Sequence, residues 1–154
     1  MSLAKTLSKR IDADLIVAIK ARDKLTTTVL RGVKSDLKNA QIAKGTRGED
    51  IKDEDVITIL SSAAKKRRES IEAFTSGGRD DLVAQEKSEL KIIESYLPEQ
   101  MSEDEIRVVI KRAIEEHGID SPAKIGLLMK EIMPKFKGKA DGKLVNKIAR
   151  EALV

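Results

Sequence analysis

The chain has 154 residues, of which 36% are charged and 40% hydrophobic, and its formal net charge is only +4. It contains no cysteine, which excludes disulfides, thiolate chemistry and cysteine-based metal sites. No apolar run approaches the roughly 20 residues that cross a bilayer, and the first residues lack the apolar stretch of a secretory signal, so we expect a cytoplasmic protein without a membrane partner.

Every long segment shows helical periodicity and none shows sustained strand alternation, which predicts an all-α fold. A first helix is expected over residues 3–21, where an apolar residue recurs every four positions, and a second helix ends in the 45–48 loop. The positions expected to face the core are Leu3, Leu7, Ile11, Leu15 and Ile19 in the first helix and Val29, Leu30, Val33, Leu37 and Ala40 in the second.

Two more helices are expected before residue 98. Asp53 is predicted to cap the third helix, which ends at Gly77 and Gly78. The fourth helix starts near Asp80 and is closed by Pro98. We therefore predict a four-helix N-terminal lobe that comprises residues 1–97.

Residues 98–154 predict a small C-terminal lobe of three shorter helices. Ser102 and Glu105 have the spacing of a capping box at the start of the fifth helix. The sixth helix is expected to begin at the Ser121-Pro122 pair and to stop at Pro134. A basic loop over residues 135–140 follows. Asp141 is expected to cap the last helix, whose buried positions are Leu144, Val145, Ile148 and Ala152.

The residue types do not assemble a catalytic site. The single histidine, His117, precedes a C-cap glycine, where an imidazole complements the helix dipole. The 138–143 segment resembles a nucleotide-binding loop, but its glycines are too close together and Leu144 stands where Ser or Thr is required. The lysine-flanked turn at the start of the last helix has two possible interpretations, a simple anion site and a flexible basic loop. We expect no autonomous enzyme, no metal and no cofactor.

Charge is segregated along the chain. Residues 123–154 hold eight basic side chains against three acidic ones, whereas residues 98–122 are acidic. Lys143, Lys147 and Arg150 lie at helical spacing on the last helix, roughly opposite its apolar face. With Lys135, Lys137 and Lys139 before them they predict one cationic patch, suited to phosphate backbones or an acidic protein face.

A second basic run, Lys65-Lys66-Arg67-Arg68, lies on the third helix. Because successive residues turn by about 100°, these four side chains do not all face the same way. A solvated face with some pairing to carboxylates is favoured over a phosphate contact.

The C-terminal residues resemble the YqeY-like family. The segment that carries the resemblance is Gly126-Leu127-Leu128-Met129-Lys130-Glu131-Ile132-Met133-Pro134-Lys135-Phe136-Lys137-Gly138-Lys139-Ala140-Asp141-Gly142-Lys143-Leu144-Val145-Asn146. Upstream matches are Leu30-Arg31, Lys66-Arg67, Ser70, Phe74, Arg79-Asp80-Asp81-Leu82, Glu86, Glu89 and Tyr96-Leu97-Pro98. That family is similar to the C-terminal tail of the B subunit of the bacterial glutamyl/aspartyl-tRNA amidotransferase.

The resemblance implies a role in translation. In the amidotransferase the tail helps to hold tRNA while another part of the subunit does the chemistry, so the carbon–nitrogen ligase activity of the larger enzyme is not expected in this chain. Asp141 stands where the amidotransferase motif usually has Asn. The implied partner is tRNA or a tRNA-bearing complex. The residues expected to contact it are Lys130, Lys135, Lys137, Gly138, Lys139, Lys143, Asn146 and Lys147.

A protein-interaction module is the alternative. In it the N-terminal lobe docks onto an amidotransferase or another translation-related enzyme, and the basic lobe meets an acidic protein face. An exposed apolar patch on either lobe favours this alternative.

Overall fold

The computed structural model describes residues 6–154, and all regular structure in that range is helical. The α-helices are α1 Leu7–Lys20, α2 Lys24–Lys44, α3 Asp53–Ser76, α4 Asp80–Glu94, α5 Glu103–His117, α6 Ile125–Phe136 and α7 Gly142–Ala152. A short 3₁₀ turn, Pro122–Lys124, precedes α6. The all-α prediction is confirmed. Leu3, the first position of the expected apolar stripe, lies outside the described residues.

The chain divides into two compact units between Leu97 and Pro98. The first unit contains α1 to α4, and the second contains α5 to α7 with the 3₁₀ turn. Each unit has its own aliphatic core.

The core of the first unit is formed by one face of each of its four helices. In α2 four of the five expected positions are buried and Ala40 is only partly buried. Helices α3 and α4 make the most extensive helix contact of this unit. The buried side chains are Ile11, Leu15, Val29, Leu30, Val33, Leu37, Val56, Leu60, Ala63, Ala64, Ile93 and Tyr96.

The four-residue repeat of α1 wrongly predicted that its last member, Ile19, is buried. Ile19 is 45% exposed, and Ala18 is buried instead. A step of four residues turns about 400°, so a strict four-residue repeat drifts by about 40° each time around the helix. By Ile19 the drift has carried the side chain off the core-facing stripe.

Asp53 does not cap its own helix. The N-cap of α3 is Lys52, whose side chain makes no capping hydrogen bond, and Asp53 is the first helical residue. Its carboxylate instead accepts a hydrogen bond of 2.9 Å from the backbone N–H of Leu7 at the start of α1. Asp53 therefore satisfies an N–H group of one helix while its charge favours the N-terminus of another.

Tyr96 connects the end of the first unit to α1. Its ring is buried, and its partly buried hydroxyl donates a hydrogen bond of 2.6 Å to Oδ2 of Asp14. The guanidinium of Arg10 lies 4.7 Å from the centre of the Tyr96 ring and donates to the carbonyl of Ser95. Burial raises the pKa of the Tyr96 hydroxyl, and the hydrogen bond and negative charge of Asp14 raise that pKa further.

The second unit packs α5, α6 and α7 around Phe136. Its other buried side chains are Ile106, Ile110, Ala113, Ile119, Leu128, Ile132, Val145, Ile148 and Ala149. The capping box of Ser102 and Glu105 is confirmed, and so is the cap at Asp141. Ala152 is exposed and Leu144 is only partly buried, whereas Ala149, which was not expected in the core, is buried.

The sixth helix differs from its prediction at both ends. It begins at Ile125 after the 3₁₀ turn, and it continues through Pro134 to Phe136. A proline removes one helical N–H donor, but its fixed φ angle suits a helix. Burial of Phe136 retains the final residues in the helix, so the expected basic loop starts at Lys137 rather than at Lys135.

Replacing Asp53 by alanine is expected to lower the free energy of unfolding by about 1 kcal/mol more than replacing Glu54 does, because both carboxylates favour the α3 dipole but only Asp53 accepts from Leu7. Urea unfolding of Asp53→Ala and Glu54→Ala measures this difference. Equal losses in the two variants would show that the bond to α1 contributes nothing.

Tyr96→Phe is expected to lower the free energy of unfolding at pH 7 by about 1.5–2 kcal/mol, since the Asp14 carboxylate loses its donor. The raised pKa adds a pH effect. The unfolded phenol ionises near pH 10 while the folded one stays protonated, so this contribution is present below about pH 10 and lost above it.

Urea unfolding between pH 7 and pH 11 tests both parts. The wild type should lose more stability than Tyr96→Phe as the pH rises above about 10. Asp14→Asn is the control, because its amide oxygen still accepts from the hydroxyl. Parallel pH profiles for wild type and Tyr96→Phe would refute the assignment.

Candidate nucleic-acid interface

The lysines predicted to bind a polyanion are all exposed. Lys130 and Lys135 lie on α6, Lys137 and Lys139 lie in the loop after it, and Lys143 and Lys147 lie on α7. We call these six residues the C-terminal cationic surface. On α6, a separation of five residues places Lys130 and Lys135 about 140° apart around the helix, so they do not share one face.

The α7 helix presents its cations together. Lys143, Lys147 and Arg150 are exposed and lie within an arc of about 60°, whereas Val145, Ile148 and Ala149 face the core. Asn146 is half-buried beside them, and its side-chain oxygen accepts a hydrogen bond of 2.8 Å from Nε of Arg150. The polar side of α7 is therefore basic along its length.

Most of these lysines lack an acidic partner. Among the residues the structure describes, Lys130, Lys135, Lys137, Lys139 and Lys147 make no ion pair with a carboxylate. By contrast, Arg107 on α5 lies 3.5 Å from both Glu103 and Glu151. The C-terminal cationic surface thus contains five exposed lysines that form no ion pair with a described carboxylate.

The glycine turn before α7 has a structural role. Gly138 is buried and has a φ angle of 75°, a left-handed conformation that favours glycine. Its carbonyl accepts from the Gln100 side chain at 2.8 Å, and the carbonyl of Lys139 accepts from the Met101 N–H at 2.9 Å. Because Gly138 is buried, the glycine itself offers little surface to a ligand, and its expected contact with RNA stays a prediction.

The N-terminus of α7, where an anion site was one of two interpretations, is capped by a carboxylate of the chain itself. The Asp141 carboxylate accepts from the Lys143 N–H at 3.3 Å and supplies the negative charge that the helix N-terminus favours. A carboxylate at this turn disfavours a second anion there, and the choice between an anion site and a flexible basic loop stays a prediction.

The basic run on α3 divides as helix geometry requires. Lys65 and Lys66 are exposed, whereas Arg67 lies 3.7 Å from Glu89 and Arg68 lies 3.2 Å from Glu94 on α4. Burial raises the pKa of the nearby Glu86 carboxyl, and the charge of Glu89 adds to the effect. The two arginines thus join α3 to α4, and pairing with carboxylates is the confirmed reading.

His117 ends α5 beside Gly118, as expected for a C-terminal cap. Its Nε2 lies 3.6 Å from Oε2 of Glu131. Residues 6–154 contain no group of three acidic or histidine side chains placed to hold a metal ion. No helix within that range is long and apolar enough to cross a membrane.

The sequence analysis missed a second group of cations, in the first unit. Lys9, Arg31, Lys34, Lys38 and Arg47 line one cleft between α1, α2 and the loop that follows α2. The signal was available on α2, where basic residues at positions 31, 34 and 38 recur at helical spacing. The contributions of α1 and of the loop require the tertiary fold.

Relatives of the chain are fungal proteins named altered inheritance of mitochondria protein 41, mitochondrial. The protein of Lachancea thermotolerans is 33% identical over 129 residues, which cover 82% of this chain and 66% of the relative. That of Pyrenophora tritici-repentis is 29% identical over 149 residues, covering 94% and 79%. That of Kluyveromyces lactis is 35% identical over 83 residues, covering 54% and 44%.

The matched region thus spans less than two thirds of the Lachancea and Kluyveromyces proteins. The names of these relatives place them in mitochondria. They contradict the cytoplasmic location expected from composition and from the lack of an apolar leader, and that prediction is wrong. Apolar content at the start of a chain does not report this kind of destination, since mitochondrial transit peptides are amphipathic rather than uniformly apolar.

The family assignment has separate and broader support. A family model described as Yqey-like protein matches residues 8–153, nearly the whole chain, including both helical units and the C-terminal cationic surface. The chain belongs to the family of Yqey-like proteins.

Proposed function

We propose that this protein is an accessory RNA-binding module that holds tRNA, or a complex containing tRNA, and has no catalytic site of its own. The observation that carries the proposal is the set of exposed lysines at positions 130, 135, 137, 139 and 147, which no described carboxylate neutralises. Unpaired cations on a rigid helical scaffold suit the phosphate backbone of a nucleic acid.

The aromatic residues support backbone contact over base stacking. Proteins that bind single-stranded RNA by stacking expose aromatic rings on which the bases lie. Here Tyr96 and Phe136 are buried in the two cores, and Phe74 is half-buried. The proposed module therefore binds phosphates and does not read a base sequence.

The resemblance to the amidotransferase tail supports tRNA as the particular RNA. In this proposal the three helices after Pro98 act as the tail-like lobe, and the four helices before it form a separate lobe. Asp141, which differs from the Asn usual in the tail motif, caps α7. The positive end of the α7 dipole lies beside its negative charge, which limits the repulsion between Asp141 and a bound phosphate.

A salt titration of binding to unfractionated tRNA tests the proposal. If five or six phosphates are neutralised, the logarithm of the affinity should fall with the logarithm of salt concentration at a slope of about −4 to −5. Changing Lys135, Lys137, Lys139 and Lys147 to Glu should weaken binding at least tenfold and make the slope shallower by about three to four.

The matched control changes four exposed lysines of the first unit, Lys20, Lys24, Lys87 and Lys91, to Glu. It alters the net charge by the same amount and should retain most of the binding. Circular dichroism checks that both variants stay helical. Equal losses in the two variants, or a wild-type slope near zero, would rule out the C-terminal cationic surface as an RNA site.

A protein-docking role has one observation in its favour. Ile16, Val17 and Ile19 on α1 are 54%, 64% and 45% exposed, an apolar group that α1 does not bury within the first unit. Exposed apolar patches mark interaction surfaces in many soluble proteins. This second candidate function assigns α1 to contact with a translation-related enzyme.

Affinity capture from nuclease-treated extract separates the two functions. Under the docking function, the wild type recovers a partner protein after RNA is destroyed, and Ile16→Glu with Val17→Glu loses it. Lys87→Glu with Lys91→Glu, which changes two exposed lysines of α4, should retain the partner. Recovery of nothing after nuclease treatment, with tRNA recovered before it, would exclude docking by α1.

A further inference from the structure

The first unit contains a cleft of about 720 Å³ that the C-terminal cationic surface does not share. One wall is α2, which contributes Arg31, Lys34, Ser35, Lys38 and Gln41. These residues recur at intervals of three and four, so they occupy one side of the helix. Clefts of a few hundred to about 1,000 Å³ are the usual size of small-molecule sites.

The other two walls are the start of α1 and the loop between α2 and α3. The helix contributes Ser8, Lys9 and Asp12, and the loop contributes residues 47–51. Asp12 forms an ion pair of 2.8 Å with Lys34 across the cleft. The Gln41 side chain donates a hydrogen bond of 2.7 Å to the carbonyl of Glu49, which holds the loop against α2. The walls are therefore connected before any ligand arrives.

The charges lining the cleft do not cancel. Its five basic residues face three carboxylates, those of Asp12, Glu49 and Asp50. The ion pair with Asp12 engages Lys34. Among the described residues, Lys9, Arg31, Lys38 and Arg47 have no carboxylate partner. Exposed cations on three separate chain segments thus border one concave surface.

We infer that the α1–α2 cleft binds a ligand through one or two phosphate groups, which Arg31, Lys38 and Arg47 contact. Arginine presents a planar set of donors that matches phosphate oxygens, and lysine adds a mobile positive charge. The excess of two positive charges matches the charge of one or two phosphates, whereas the three carboxylates repel a longer run of them. This site is independent of the proposed RNA function, because it uses different residues in the other unit.

The phosphate chemistry has two sources, a free organic phosphate and a short piece of RNA backbone. Inorganic pyrophosphate is the ligand for the first experiment because it carries the phosphates alone. Titration into the full-length isotope-labelled chain, followed by amide chemical shifts, should move signals from residues 31–51 most. A short single-stranded RNA, titrated separately, reports the source: shifts of the same amides assign the site to RNA backbone, and no shifts there assign it to a free phosphate.

Arg31→Glu with Lys38→Glu should weaken pyrophosphate binding at least about tenfold, since two charge-assisted contacts are replaced by repulsion. Lys87→Glu with Lys91→Glu on α4 makes the same change of charge outside the cleft and should leave the affinity within about twofold. Arg47→Glu changes only the loop and should also weaken pyrophosphate binding. It keeps the inference testable if the double variant of α2 loses helix content.

Several results would overturn the inference. These are shifts spread evenly over the basic surface of both units, equal weakening in the α4 control, and unchanged affinity in Arg47→Glu. The variant of Lys135, Lys137, Lys139 and Lys147 to Glu should bind pyrophosphate as the wild type does. If the wild type binds pyrophosphate but not tRNA, the proposed function fails and this site stands. If it binds tRNA but not pyrophosphate, this site fails and the proposed function stands.

Discussion

Exclusion of charge from two small aliphatic cores is the constraint on which the rest of this protein depends. Among residues 6–154, no polar or charged side chain is buried, although 36% of the chain is charged. Full burial of one large aliphatic side chain contributes about 1.5–3 kcal/mol, and an uncompensated buried charge would cost more than that. Each helix therefore turns a narrow apolar face inward, as α7 does with Val145, Ile148 and Ala149, and every charged group must find a place on the surface.

Hydrogen bonds at the ends of helices add stability that the small apolar cores do not provide. A domain near 60 residues buries only about 60% of the surface that its unfolded chain exposes, so the second unit has little apolar area to spare. Its connector contributes through the Gln100 and Met101 bonds to the turn before α7, and its helices begin at capping residues. In the first unit, Asp53 joins α3 to α1 and the hydroxyl of Tyr96 joins the end of α4 to α1. These polar contacts lie at element ends, where helices leave N–H and C=O groups unpaired.

The surface then sorts its cations into two kinds. Arg67 and Arg68 are held by Glu89 and Glu94, so their charge serves the packing of α3 against α4. Lys130, Lys135, Lys137, Lys139 and Lys147, and in the α1–α2 cleft Lys9, Arg31, Lys38 and Arg47, form no ion pair with a described carboxylate. The chain belongs to the Yqey-like family, and the mitochondrial names of its fungal relatives contradict the cytoplasmic location predicted from composition.

Local sequence patterns predicted the helical class, the capping box at Ser102, the cap at Asp141 and most core positions, because helix periodicity and caps depend on residues close together in the chain. They also located the exposed lysines of the C-terminal cationic surface. Other features became visible only in the folded chain: the burial of Ala18 instead of Ile19, the end of α6, the hydrogen bond of Asp53 to α1 and the burial of Gly138. The α1–α2 cleft belongs to this second group, since it brings residue 9 close to residues 31–51. Contacts between segments far apart in the chain depend on how the helices pack, and no local pattern encodes that packing.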